Sequence, residues 1–506
     1  MKKDLLKLLI RLTFLVPVFF LFNEIYTRFF FEKDLQENSP EINKVREALA
    51  SGAEILYLGE SSNTTFRGDD YDKRSISTMI GDFYPGKKIF NINKDASHAG
   101  IYYYFLNKIP ATSPVKTVIV TLNLRSFDAN WIYSDLETPL QKSTILLHDH
   151  YPLINRFLLA FKGYDHKSNE ERRAQYLSAW KNETLHFPYP FPFKNVKQWD
   201  KELFSKGILG ADGKKDEAIT ALACHYVKTY AFQIDTLKNP RIKDFDKIVM
   251  LAKERGWSLV FNLMAENIQR ANELVGKDVV WLIKENGKLL EQRYRRKGVL
   301  VVNNLDNVGD EEYIDRNWTT EHYAEHGRHI IATNVADSLK KFYNREYISR
   351  DYTKSQRKES YFQDCEGSEI WGQMQTLSTE KAFSGKKSSE IYSKSPFSIT
   401  FEMSKKHLPE NFDEISLNCH LWMSGDNHSS QLTLEVFDEN DKQCVINVPL
   451  DSLNRPESSP RWQKINYVFS SVKEFENLKS LKIYFFNPDK TPVYIDDIQV
   501  EFKGRK

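Results

Sequence analysis

Cysteine is scarce in this chain: four in 506 residues, at 224, 365, 419 and 444, with no Cys-x-x-Cys spacing. Such a pattern suggests neither a zinc site nor a redox motif, and it leaves buried thiols with at most an optional disulfide. A charge excess is missing as well, since 71 Lys plus Arg stand against 69 Asp plus Glu. The net charge of +2 provides no basic surplus to neutralise a phosphate backbone, so nucleic acid is not an expected partner. Internal repeats and low-complexity tracts are absent too. The length, by contrast, gives two or three domains with ample core, which excludes a peptide-like or disulfide-framework protein.

The N-terminus, MKKDLLKLLIRLTFLVPVFFLFNEIYTRFFF, sets Lys2, Lys3, Lys7 and Arg11 before an apolar run from Leu12 to Phe22. That run falls short of the ~20 residues that cross a bilayer, but starting at Leu5 with Lys7 and Arg11 snorkelling makes a crossing feasible. No small-x-small cleavage site follows. Residues 1–31 are therefore expected to be an uncleaved membrane anchor, the alternatives being a cleaved signal peptide and a buried or interfacial helix. The positive flank predicts residues beyond about 32 on the far side of the membrane, an extracytoplasmic placement.

Downstream, EILYLGESS, KKIFNIN and VKTVIVTLNL read as strands, the third apolar on both faces as in a parallel sheet covered by helices. From about 133 to 240 the pattern turns helical and aromatic. It is interrupted by HFPYPFPF at 186–193, whose prolines exclude a helix interior or central strand, and is expected to roof the strand ends. An α/β rhythm then returns in DFDKIVMLAKERG, WSLVFNLM, GVLVVNNL and GRHIIATNVADSLKKFY. The alternation predicts a doubly wound parallel α/β sheet over 45–345, with ligands at the carboxyl ends of the strands. After the polar link DYTKSQRKES come evenly spaced alternating segments, which predict a β-sandwich over 356–506.

Several residues at predicted strand ends can carry chemistry. In Gly59-Glu60-Ser61-Ser62 a tight turn can aim a serine hydroxyl into a cleft, or the serines can simply cap the next helix. Gly100 follows the second strand where a backbone N–H can approach a ligand, Asn123 ends the third with a side-chain amide, and His322 precedes the last helix. A turn glycine, a capping amide and a surface histidine are the plain alternatives, but the joint order is informative. Arg125 can hold an anionic substrate or pair with Glu60. Glu266 and Asn267 either line the cleft or are ordinary loop residues, and His148 and His150 have metal-like spacing without further ligands.

In this order the motifs over about 50–345 resemble the SGNH (GDSL-like) hydrolase family, of flavodoxin-like three-layer fold. The resemblance implies Ser61 as nucleophile, His322 as base, and an oxyanion hole built from the Ser61 and Gly100 N–H groups and the Asn123 amide. It implies no metal or other cofactor. Two positions depart from the family pattern: Glu60 replaces the usual Asp, and Thr319 stands three before His322 where the family has Asp. The triad acid is then Asp315, Glu321, or absent with a backbone carbonyl orienting the imidazole; Asp315 is preferred because a sequence neighbour often points away from the ring.

The stretch 360–503 resembles the jelly-roll carbohydrate-binding-module group. Trp371, Trp422 and Trp462 can stack on sugar rings or pack in the core, and Glu366 and Asp497 can share a structural calcium or lie on the surface. Proteins of alginate O-acetylation and teichoic-acid D-alanylation are the anchored relatives that the SGNH resemblance over 50–345 brings in. It implies an O-acyl esterase or acyltransferase acting on a glycan through a Ser61 acyl-enzyme, with the membrane and a membrane-bound acyl donor protein as partners. A catalytically silent glycan-binding or assembly protein is the alternative of a different class.

Overall fold

Five short apolar runs form the central sheet: β1 (Ile55–Gly59), β2 (Ile89–Asn93), β3 (Thr117–Leu122), β4 (Ser258–Leu263) and β5 (Leu300–Asn303). All pair in parallel, in the order β2-β1-β3-β4-β5. Every residue of β1 and β3 is buried, as the near-continuous hydrophobicity of these runs requires. Helix Ala99–Asn107 packs on Pro240–Arg255, and Ile76–Asp82 packs on Glu325–Tyr343. Right-handed crossovers place these two helix pairs on opposite faces of the sheet. Strand order reverses between β1 and β3, so the residues that follow these two strands meet at the switch point.

The computed structural model describes residues 2–164, 167–350, 352, 359–367, 369–409, 412–423, 429–440, 442–453, 461–470 and 478–503. They form two compact units, one of 1–65 with 75–350 and one of 66–74 with 351–506. Most of the expected linker, 351 and 353–358, lies outside the described residues.

The expected membrane anchor is not supported. Residues Lys2–Phe29 do form one helix, but among the described residues no helix is long and apolar enough to cross a membrane. The reason is visible in its composition: the run from Leu12 to Phe22 spans only ~16 Å of helix at 1.5 Å per residue, against a hydrocarbon core of about 30 Å. Glu24 and Arg28 follow within the same helix and pair with each other at 2.7 Å. Toward its end the helix is tied to the α/β unit, where the Leu153 N–H donates to Asn23 Oδ1 at 3.1 Å and the Tyr26 hydroxyl donates to Asp34 at 2.6 Å.

The stretch between β3 and β4 is helical as expected. In HFPYPFPF the rings pack on tryptophans, Phe187 at 4.9 Å from Trp281 and Phe191 at 5.1 Å from Trp199. Helix Glu217–Tyr230, later in the same insertion, delivers His225 and Tyr230 to residues that follow β4 and β5.

In the second unit two antiparallel sheets enclose a core that includes Leu417, Leu421, Leu434, Leu481 and Val500. The larger sheet centres on Val493–Lys503, flanked by Glu414–Trp422 and Ser388–Ile391; the smaller runs Phe401–Ser404, Leu478–Phe486, Gln431–Asp438, Gln443–Pro449. The short segment 66–74 belongs to this unit. Its Tyr71 ring lies 5.3 Å from His407 and 6.4 Å from Tyr361, and Lys73 donates to the Glu402 carbonyl at 3.2 Å.

Candidate active site

The end of β1 can turn only because residue 59 is glycine. A Cβ there would stand 2.8 Å from Asn93 Oδ1, 2.9 Å from Tyr57 Cε1 and 3.0 Å from Asn63 Cβ. Glu60 then takes the N-cap position of a single helical turn, Ser61–Thr64, without a side-chain capping bond, so the serines do not serve as the cap. The Ser61 hydroxyl instead lies 2.9 Å from His322 Nε2.

The other imidazole nitrogen meets one of the two candidate acids. His322 Nδ1 is 2.6 Å from Asp315 Oδ2, which also accepts the Thr320 hydroxyl at 2.7 Å. The turn between them is closed by a bond from the Ile314 N–H to the His322 carbonyl. Seven residues of spacing thus fold back on themselves, whereas Glu321, adjacent in sequence, points the other way. Its carboxylate accepts from Nε and Nη2 of Arg125, in a pair that is almost wholly buried. Arg125 is therefore occupied by Glu321 rather than by Glu60, and it is not held out toward an anionic substrate.

Of the three expected oxyanion donors, Gly100 and Asn123 differ in their freedom. The Gly100 N–H donates to His98 Nδ1 at 3.1 Å, as part of the start of helix Ala99–Asn107. Glycine is needed there because a Cβ would meet His98 and Asp244 at 2.9 and 3.0 Å, a packing requirement rather than a ligand approach. Asn123 Nδ2 donates to Glu60 Oε1 at 2.8 Å, and its Oδ1 accepts the Arg125 N–H. A primary amide carries two N–H donors, and the bond to Glu60 uses one of them.

Beneath this surface lies an acidic cluster. Glu60, Glu266 and Glu321 are 3%, 2% and 1% exposed around Arg125. Three carboxylates around one guanidinium cannot all ionise in a dry interior. Burial, then the charge of Glu321, raises Glu60 to about 7. The same two causes push Glu266 well above the carboxylate range, while the Tyr230 hydroxyl donates to it. For Arg125, burial works against the charge and Glu321 overrides it, so the guanidinium stays protonated. Glu266 is thus no ordinary loop residue, and Asn267 caps the next helix by accepting the Arg270 N–H at 3.0 Å.

One pair of groups near the triad has no counterpart in the sequence reading. His225 Nε2 lies 2.8 Å from Thr319 Oγ1, and its ring stacks on Trp318 at 3.9 Å. A lone His in an amphipathic helix and a Trp in a polar loop carry no spacing signal that joins them.

The remaining candidates have structural partners. His148 and His150 stack on each other at 4.0 Å, and among the described residues no group of three or more His, Cys, Asp or Glu could hold a metal ion. Glu366 accepts the Lys387 N–H at 2.8 Å, and Asp497 accepts the Ser384 hydroxyl at 2.8 Å. All four cysteines are free thiols. Trp371 is core, whereas Trp422 stands directly between Tyr494 and Trp462 in neighbouring strands.

No protein-family model matches the chain, and no curated protein matches it. Among solved structures, the chain is similar to the CBM22-1 xylan-binding domain from Paenibacillus barcinonensis Xyn10C at 16% identity, over 26% of this chain and 81% of that one, with a TM-score of 0.19. It is also similar to the C-terminal family 22 carbohydrate binding module of Clostridium thermocellum Xyn10B at 13% identity, over 25% of this chain and 79% of that one, with a TM-score of 0.20. Likenesses this slight carry no argument about activity or ligand.

Proposed function

We propose that this protein is an SGNH-type serine esterase or acyltransferase acting on an O-acyl ester, in its simplest form an O-acetyl group, carried by a glycan. The observation that carries the reading is the continuous hydrogen-bonded chain Ser61–His322–Asp315 at the switch point of the sheet. A serine hydroxyl is a weak nucleophile until a base takes its proton. Here His322 Nε2 receives the Ser61 proton as Oγ bonds to the ester carbonyl carbon and the carbonyl electron pair moves to oxygen. Asp315 accepts the Nδ1–H, fixing the tautomer that leaves Nε2 free and stabilising the imidazolium. The second N–H of Asn123 supports the oxyanion. Collapse expels the sugar alkoxide, which takes the proton back from His322 and leaves acyl-Ser61. Water or a second hydroxyl then attacks the acyl carbon with His322 again as base, giving acid or a new ester.

The glycan part of the reading is supported by Trp422 and Trp462, cross-strand neighbours at partly exposed positions of the sandwich, indoles of the kind that stack on sugar rings. A second reading, a glycan-binding scaffold without turnover, is favoured by one observation: the Gly100 N–H is spent on His98, leaving fewer oxyanion donors than an acyl-transfer site ordinarily has. Intact-protein mass after treatment with a fluorophosphonate, with Ser61→Ala as control, decides between them. A single adduct that depends on Ser61, together with turnover of 4-nitrophenyl acetate, is the expected result; no adduct and no turnover would leave the scaffold reading.

A further inference from the structure

The loop that carries the triad acid and base also carries an exposed indole. Trp318 lies three residues after Asp315 and four before His322, and its backbone N–H donates to the Asp315 carbonyl at 3.0 Å. Trp318 is 53% exposed, which is unusual for the largest apolar side chain and needs a reason. It is not loose. The His225 ring covers one face at 3.9 Å and an interplanar angle of 23°, and His225 is itself held by Thr319, which is buried. Burial, then the charges of Arg125 and Lys228, lowers His225 to about 4, so a neutral ring backs the indole through the physiological range. One face of Trp318 is thus fixed, and the exposed half is the opposite face and rim.

We infer that Trp318, backed by His225, is the platform on which a sugar ring of the acylated substrate stacks while its ester reaches Ser61. This deepens the acyl-transfer reading and rests on it. A pyranose has an apolar C–H face that suits an aromatic plane and a polar rim that needs donors and acceptors. The surroundings are polar: His225, which backs the indole, is bonded to Thr319, and on the same loop the Thr320 hydroxyl donates to Asp315. A long acyl chain would instead need a continuous apolar lining. The rigid backing matters because an aromatic plane that is already immobilised gives up little conformational entropy on binding.

The test uses the full chain with partially O-acetylated xylo-, manno- and chito-oligosaccharides beside 4-nitrophenyl acetate. Trp318→Ala is expected to lower kcat/KM for the preferred oligosaccharide ester about tenfold more than for the aryl ester, mainly through KM, and Trp318→Phe to recover most of that difference. Equal losses on both substrates with no recovery in Phe would show a merely structural role and overturn the proposal. A separate arm keeps the two readings distinguishable: fluorescence titration of the Ser61→Ala protein with the unacetylated oligosaccharides. A saturating change that disappears in Ser61→Ala/Trp318→Phe supports the platform even where the wild type turns over no ester, which would defeat only the acyl-transfer reading. No Trp318-dependent change with any of the three sugars overturns the platform.

Discussion

At the scale of single residues, two carboxylates six positions apart have opposite tasks, and substitution separates them. Asp315 touches the imidazole and is partly exposed, whereas Glu321 is buried against Arg125. Asp315→Asn is expected to lower turnover by ~10⁴-fold with little change in thermal stability, because the wrong tautomer is then favoured. Glu321→Gln leaves the Arg125 charge without its partner and should cost about 3–5 kcal/mol of stability, with a smaller loss of turnover per folded molecule. Steady-state kinetics and denaturant titration of the two variants check this; the reverse pattern would make Glu321 the triad acid. Glu60 supplies a second prediction. Its folded pKa of about 7 lies above the ordinary 4.5, so the folded state holds the proton more tightly than the unfolded chain does. The contribution to stability is therefore full below about 4.5 and is lost as pH rises through 7. Glu60→Gln should flatten that part of the stability–pH curve, and an unchanged slope would exclude Glu60 as its source.

At the scale of elements, the position of Ser61 depends on how β1 ends. Gly59→Ala drives a methyl group into Asn93, Tyr57 and Asn63, two of which belong to β1 and to the turn after it. Something must shift, and overpacking of this kind costs ~1–3 kcal/mol. The expected outcome is a lowered melting temperature together with reduced Ser61 labelling by a fluorophosphonate; normal labelling would mean that the turn yields without moving Ser61. The HFPYPFPF segment shows the same logic from the other side. Prolines keep it out of helix and sheet, and the aromatic rings between them need burial, which the faces of Trp281 and Trp199 provide.

At the scale of the whole chain, the sandwich is not a simple C-terminal segment. Residues 66–74, which follow the Ser61 turn in sequence, are part of it, with Tyr71 against His407 and Tyr361. A fragment of 351–506 is therefore expected to be β-rich but weakened, by about 1–2 kcal/mol for the lost aromatic contacts. Adding a peptide of residues 64–76 in trans should raise its melting temperature, and the same peptide with Tyr71→Ala should not. A fragment indifferent to both peptides would show that the segment contributes nothing to the unit.

The sequence by itself determined the elements and the ingredients: strand runs apolar on both faces, a glycine before Ser61, an asparagine after β3 and a histidine before the last helix. These are local or periodic properties, and local sterics and burial fix them without reference to distant residues. Only the tertiary structure decided how the ingredients are shared out. Asp315 rather than Glu321 reached His322, Arg125 took Glu321, Gly100 was absorbed by His98, and Trp318 found His225 from an insertion some ninety residues away, as the 93-residue gap between them shows. The N-terminal helix fell on the same side of this line, since its apolar run predicted a span that its length and flanking charges do not support. Pairing among buried charges is a competition for partners, and its outcome depends on three-dimensional reach and desolvation, neither of which is written in spacing along the chain.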